Sequence, residues 1–141
     1  MYSVNNVRSM NGHAGEEIAA TLLRSQGFDV YYNPNHRDDQ PDIVVAGHIT
    51  VEVKTSILRR VNDHCRGYAF CIHRVNVSLP ISEDFVMLVC HTPTQNRAFI
   101  IPRKSIAKCH SITIPNPDPC RYAGRWMRYL DLYELISERL A

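Results

Sequence analysis

Apolar residues recur along this chain with two different periods, and each period predicts one kind of element. Residues 12–26 carry four apolar side chains at helical spacing: Ile18, Ala19, Leu22 and Leu23. Gly27 follows at the point where such a helix would end. Residues 28–32 (FDVYY) then change to β-forming side chains, and a polar, turn-forming loop at 33–40 separates them from the next apolar stretch.

The stretch PDIVVAGHITVEVK, residues 41–54, alternates with the period of a strand on both sides of a short turn. The alternation directs five side chains into the core: Ile43, Val45, Ile49, Val51 and Val53. A three-residue turn at 46–48 then sets Asp42 directly opposite Glu52 on the other face, with Lys54 on that same face. The hairpin therefore brings two carboxylates and an ammonium together.

The second half of the chain has weaker patterns. They predict a short helix within 55–65 and strands at 68–77, 85–90 and 97–102. Residues 111–120 are expected to be a short strand that runs into a loop with three prolines. Pro102 is expected to begin a short helix. A last helix is expected to begin at Asp131, which forms a capping-box pattern with Glu134.

Composition limits the class of protein. A length of 141 residues with 45% hydrophobic and 21% charged content predicts one globular domain spanning 1–141, and the net charge of +2 leaves the partner open. No apolar run is long enough for a membrane span, and the first residues lack the apolar core of a signal peptide, so we expect a cytoplasmic protein with no membrane partner. Five cysteines without a CxxC pair favour free thiols in a reducing compartment.

The two opposed carboxylates carry the candidate chemistry. Asp42 and Glu52 repel one another unless a positive charge lies between them. Hard oxygen ligands favour Mg²⁺, for which Mn²⁺ can substitute, over zinc. Lys54 could orient or help to activate a water molecule beside that metal. The alternative is an exposed strand face on which Glu52 and Lys54 form an ordinary surface ion pair.

These residues also carry a resemblance. PD at 41–42 and EVK at 52–54 resemble the signature of the PD-(D/E)xK nuclease superfamily, whose restriction-endonuclease-like fold runs helix, three strands, helix, strand. The segment GHAGEEIAATLLRSQGFDV is similar to the first helix of archaeal-type Holliday junction resolvases, and the likeness covers about residues 12–55. It implies an α/β fold with a restriction-endonuclease-like core, in which a helix is followed by a mixed central sheet flanked by helices. It also implies that Glu16 belongs to the active site and that the Val53 carbonyl is a metal ligand.

The helical geometry agrees with that position for Glu16. At about 100° per residue, Glu16 lies on the flank of the apolar stripe, whereas Glu17 points toward solvent. Glu16 can therefore reach over the edge of the sheet, although a glutamate in a first helical turn is also common without any such role.

The expected function is Mg²⁺-dependent hydrolysis of DNA phosphodiesters, without an organic cofactor. Six cationic residues near the motif are candidates for DNA phosphate contacts: His36, Arg37, Arg59, Arg60, His64 and Arg66. The run at 121–129 interleaves arginines with aromatic residues and could either bind nucleic acid or pack into the core. A homodimer is expected because cutting two strands usually takes two active sites. Four alternatives stay open: a structure-selective resolvase, a sequence-specific restriction or homing nuclease, a non-catalytic nucleic-acid-binding module, and a metal-free structural protein in which Glu52 and Lys54 form a surface ion pair.

Overall fold

A helix and a five-stranded mixed sheet form the centre of the protein. The computed structural model describes residues 4–37, 40–72, 81–92 and 94–141, with side chains from residue 13 onward. Its helices are α1 (Val4–Ser25), α2 (Arg103–Ile106) and α3 (Glu134–Leu140). Its strands are β1 (Val30–Tyr32), β2 (Ile43–Val45), β3 (Ile49–Ile57), β4 (Arg59–Arg60), β5 (Arg66–Cys71), β6 (Phe85–His91), β7 (Asn96–Pro102) and β8 (Ser111–Ile114).

The strands form two sheets. The central sheet has the order β1-β2-β3-β6-β7, in which β3 and β6 are parallel and all other neighbours are antiparallel. A second, antiparallel sheet has the order β4-β5-β8. The prediction of a helix followed by a mixed central sheet is therefore confirmed.

The hairpin of β2 and β3 has the predicted register. Ile43 pairs with Val51 and Val45 with Ile49, and the five predicted inward side chains are all buried. The turn at 46–48 places Ala46 and Gly47 at φ values of 52° and 79°. Gly47 meets this requirement at little cost, because it has no Cβ to clash in the left-handed region. The register follows from burial, since a slip of one residue would move the whole apolar set to the other face.

Each face of the central sheet covers a separate hydrophobic core. Helices α1 and α3 pack on one face, through residues that include Ala20, Leu23 and Ile136. The second sheet and α2 cover the other face, where Tyr68 and Ile106 are fully buried. Strand β6 lies between the two cores, which explains why its sequence is continuously apolar instead of alternating.

Three predictions from the sequence are corrected. Residues 55–65 form no helix; Thr55 to Ile57 complete β3 and Arg59–Arg60 is β4, because Ser56 accepts a hydrogen bond from the Ala69 amide of β5. Helix α1 begins at Val4 instead of near residue 12. Helix α3 begins at Glu134 without a side-chain cap, because the carboxylate of Asp131 pairs with Arg97 of β7.

The remaining predicted elements are present. The strands at 85–90 and 97–102 correspond to β6 and β7, the short strand expected at the start of 111–120 is β8, and α2 follows Pro102 directly. The strand predicted at 68–77 is β5 as far as Cys71, and residues 73–77 lie outside the described part of the chain. Within the described residues no helix is both long and apolar enough to cross a membrane.

Candidate active site at the edge of β3

Strand β2 begins at Ile43, opposite Val51, and β3 continues beyond this point to Ile57. The acidic residues of the site lie beside this length of the β3 edge. Asp42 directly precedes β2, and its Oδ2 accepts a hydrogen bond of 2.8 Å from the Val53 amide. The N–H and C=O groups of one strand residue point to the same edge, so the Val53 carbonyl is directed to the side of β3 on which Asp42 lies. Asp42 is one of two buried polar or charged residues among those described.

Helix α1 crosses β3 closely enough to bring Glu16 to this edge. The crossing is at Gly15, where an added Cβ would lie 1.7 Å from Oγ1 of Thr55, so only glycine fits without a shift. The next residue, Glu16, has a side chain only 13% exposed, and its Oε2 accepts a hydrogen bond of 3.1 Å from the Tyr32 hydroxyl. Glu17 is exposed, as predicted.

The imidazole of His36 lies between Glu16 and Asp42. Its Nε2 is 3.0 Å from Glu16 Oε1 and 3.1 Å from Asp42 Oδ1. The loop sequence NPNH explains the placement, because asparagine followed by proline favours a tight turn. The His36 amide closes this turn by donating to the Asn33 carbonyl at 3.1 Å. His36 was expected to contact phosphate, but the structure directs its ring nitrogen at two carboxylates.

Glu52 and Lys54 project from β3 on the face opposite to the buried Val51 and Val53. Lys54 Nζ lies 3.4 Å from Glu52 Oε1, and the two side chains are 32% and 23% exposed. This pair is therefore partly buried, unlike a solvated surface pair. Glu83, which comes just before β6, adds a further negative charge near Glu52.

The clustering of carboxylates changes their acidity. Burial and the charge of Glu52 raise the pKa of Asp42 to about 7, although the Val53 amide opposes the change. Burial also raises the pKa of Glu52, against the opposing charge of Lys54. Burial lowers the pKa of His36, but its hydrogen bond to Glu16 and the nearby negative charges outweigh this, so the pKa is raised. A site that disfavours its own negative charges fits a bound divalent cation.

Of the other predicted cationic residues, four lie on β4–β5 or its loop and the fifth adjoins His36. Arg59, Arg60 and Arg66 are exposed on the antiparallel pair β4–β5, and His64 is exposed in the loop that joins the two strands. Arg60 contacts that loop, with its guanidinium 3.7 Å from Asp63. Arg37 is exposed beside His36.

The aromatic run at 121–129 packs mainly into the protein. Trp126 is 6% exposed in the core beneath the second sheet, and the Tyr129 hydroxyl donates to Ser105. The guanidinium groups of Arg125 and Arg128 lie over Trp126 and Tyr129, at 4.3 and 5.3 Å from the ring centroids. The rings therefore contribute to the core, and the arginines remain at the surface.

Sequence reasoning missed two residues of the site. Tyr32 holds one oxygen of Glu16, and its position at the end of a strand beside the helix is a signal that could have been used. Glu83 gave no local signal, because its approach to Glu52 depends on the parallel pairing of β3 with β6.

A solved structure resembles nearly the whole chain. It is that of the bacterial homing endonuclease I-Ssp6803I, which aligns with a TM-score of 0.71 over 99% of this chain and 94% of that chain, at 18% sequence identity. No protein-family model matches the sequence, and no curated protein does. The likeness therefore establishes the fold: this chain has a nuclease-like α/β core.

Proposed function

We propose that this protein is a metal-dependent DNA endonuclease of the PD-(D/E)xK type. The observation that carries the proposal is a chain of contacts at β3: Glu16 of the helix lies beside Asp42, Asp42 interacts with Glu52, and Glu52 pairs with Lys54. A surface ion pair alone would not require a buried Asp42 or a helix that contacts β3 through a glycine.

The donors fit Mg²⁺, with Mn²⁺ as a substitute. Asp42, Glu52 and the Val53 carbonyl offer hard oxygen ligands, and Glu16 lies within reach of Asp42. When bound, the metal polarises the phosphodiester and lowers the pKa of a water ligand. Lys54, whose Nζ is held at Glu52, orients the attacking water and stabilises negative charge that develops on the phosphate.

Within this class we favour a sequence-specific enzyme over a junction resolvase. A homing endonuclease resembles the chain over 99% of its length, whereas the resemblance to resolvases is limited to about residues 12–55. The exposed arginines of β4–β5 supply positive charge for the DNA backbone, and a homodimer would provide one active site for each strand.

The test compares cleavage of three DNA substrates with Mg²⁺, Mn²⁺ or EDTA: a supercoiled plasmid, a four-way junction and a library of random duplexes whose cut ends are sequenced. The variants are Asp42→Asn and Lys54→Ala. The Asp42→Asn side chain keeps an oxygen that can accept from the Val53 amide, so inactivity of that variant reports the missing charge and not a failure to fold. The control is Lys108→Ala, at an exposed lysine after α2.

We expect metal-dependent cutting that falls by about 10²–10³-fold in Lys54→Ala and is unchanged in Lys108→Ala. Cut ends that share one sequence would identify a sequence-specific enzyme, and preference for the junction would identify a resolvase. DNA binding without cutting of any substrate would contradict the proposal and favour the non-catalytic binding module.

A further inference from the structure

Glu16, His36 and Asp42 each have two polar side-chain atoms. In each residue one of these atoms is hydrogen-bonded to a group outside the trio, and the other faces the other members of the trio. Glu16 Oε2 accepts from the Tyr32 hydroxyl, and Asp42 Oδ2 accepts from the Val53 amide. The other oxygens, Glu16 Oε1 and Asp42 Oδ1, face His36 Nε2 at 3.0 and 3.1 Å. Glu16, His36 and Asp42 each offer a ligand atom, and these atoms all lie within 4.8 Å of one another.

The other ring nitrogen of His36, Nδ1, is the atom of this residue that contacts a group outside the trio. This nitrogen lies 3.3 Å from the carbonyl oxygen of Arg37. When Nδ1 carries the hydrogen and donates it to that carbonyl, Nε2 presents a lone pair to the two carboxylates. Histidines that bind metals usually have this arrangement, in which a backbone carbonyl or carboxylate fixes the outer nitrogen.

We infer that Glu16, His36 and Asp42 form a cation position that includes nitrogen and takes a first-row transition-metal ion such as Mn²⁺. This position is distinct from the Mg²⁺ position proposed above, because its three residues do not include Glu52. The two positions are neighbours and share Asp42. An imidazole ligand favours transition-metal ions over Mg²⁺, which prefers oxygen donors. The inference rests on the proposed function only for that neighbouring Mg²⁺ position.

The competing explanation is a structural ion pair in which a protonated His36 bridges two carboxylates. Such a pair would make the same short contacts in the absence of metal. The two explanations differ in what happens when metal is added, because a metal ligand must bond directly through Nε2, whereas an imidazolium has no lone pair to give.

Pulsed electron paramagnetic resonance of the Mn²⁺-loaded protein, without DNA, distinguishes them. We expect echo modulation from a directly bound ¹⁴N nucleus in the wild type, its loss in His36→Ala and His36→Gln, and its retention in His64→Ala, at an exposed loop histidine. By calorimetry, both His36 variants should weaken Mn²⁺ binding by at least about tenfold and Mg²⁺ binding by a smaller factor.

Absence of nitrogen modulation in the wild type would overturn the inference, and this result does not depend on whether any variant folds. Retention of the modulation in His36→Gln would overturn it as well, because another histidine would then be the ligand. Neither the resonance nor the calorimetric measurement involves DNA cleavage. A protein that binds Mn²⁺ through nitrogen but cuts none of the three DNA substrates would therefore support this inference and contradict the nuclease proposal.

Discussion

Asp42 is the residue on which the electrostatics of the site depend. Its ordinary pKa of 3.8 is raised to about 7 by burial and by the charge of Glu52. Between these values the folded protein holds a proton that the unfolded chain has released, so the free energy of unfolding falls as pH rises. The contribution of Asp42 to the free energy of unfolding is fully present below about pH 4 and is lost as the pH rises through about 7. The raised pKa values of His36 and Glu52 act in the same direction.

We predict that the metal-free protein is less stable at pH 8 than at pH 5, with Asp42 responsible for up to about 3 kcal/mol. Urea unfolding in EDTA at the two pH values measures the difference, and Asp42→Asn should reduce it. The control is Asp63→Asn, because the Asp63 side chain is 93% exposed and its replacement should leave the pH dependence unchanged. Equal pH dependence in wild type and Asp42→Asn would contradict the prediction.

The placement of Asp42 and Glu52 could be predicted, but that of His36 could not. A strand has a period of two residues, so the buried apolar set determined which side chains shared the opposite face. His36 lies in a loop whose residues 38–39 are outside the described part of the structure, and no period relates it to α1. Its approach to Glu16 depends on the turn at Asn33 and on the packing of α1, which only the folded chain reveals.

At the scale of elements, the contact between α1 and β3 determines where Glu16 lies. An alanine at position 15 would normally stabilise a helix by up to about 1 kcal/mol relative to glycine. Here its Cβ would meet Thr55 Oγ1 at 1.7 Å and Thr55 Cβ at 2.6 Å, and Thr55 is on a central strand that cannot easily shift. Overpacking of this kind typically costs about 1–3 kcal/mol, which exceeds the gain in helix propensity.

We therefore predict that Gly15→Ala lowers both the free energy of unfolding and DNA cleavage, because α1 must move away from β3 and takes Glu16 with it. Chemical denaturation and the plasmid assay measure the two effects. Ala14→Ser, at the exposed preceding position, serves as the control. Adding Thr55→Gly should restore part of the cleavage by removing the side chain that clashes. A Gly15→Ala protein as active as the wild type would show that the crossing does not position Glu16.

The mispredicted elements share a physical cause. Residues 55–65 contain side chains compatible with a helix, but the β5 edge offers Ser56 and Arg59 extended partners, and tertiary pairing prevails over weak local propensity. Asp131 has the composition of a helix cap, yet it adopts a φ of 52° and pairs with Arg97. In both places the deciding contact comes from a different strand, so the pattern of the segment by itself could not reveal it.

At the scale of the whole molecule, the net charge of +2 conceals an uneven distribution. The carboxylates of the site lie along β3, and the same strand leads into β4–β5, where Arg59, Arg60 and Arg66 are exposed. A second exposed group consists of Arg121, Arg125 and Arg128, beside the buried Trp126. Either group of arginines could contact the phosphates of bound DNA. The salt dependence of DNA binding, measured in variants of each group, shows which group makes these contacts.

We predict that the β4–β5 arginines contact DNA. Replacing all three by alanine should weaken DNA binding and reduce the slope of log affinity against log salt by about 1 for each phosphate that is no longer neutralised. Fluorescence anisotropy with a labelled duplex, in EDTA to prevent cutting, measures the slope. The matched control replaces Arg121, Arg125 and Arg128, which removes the same charge from the other surface. If the control lowers the slope and the β4–β5 variant does not, DNA binds across the arginine and aromatic run. Arg60 should contribute least of its group, because its guanidinium already lies beside Asp63 and the loop carbonyls.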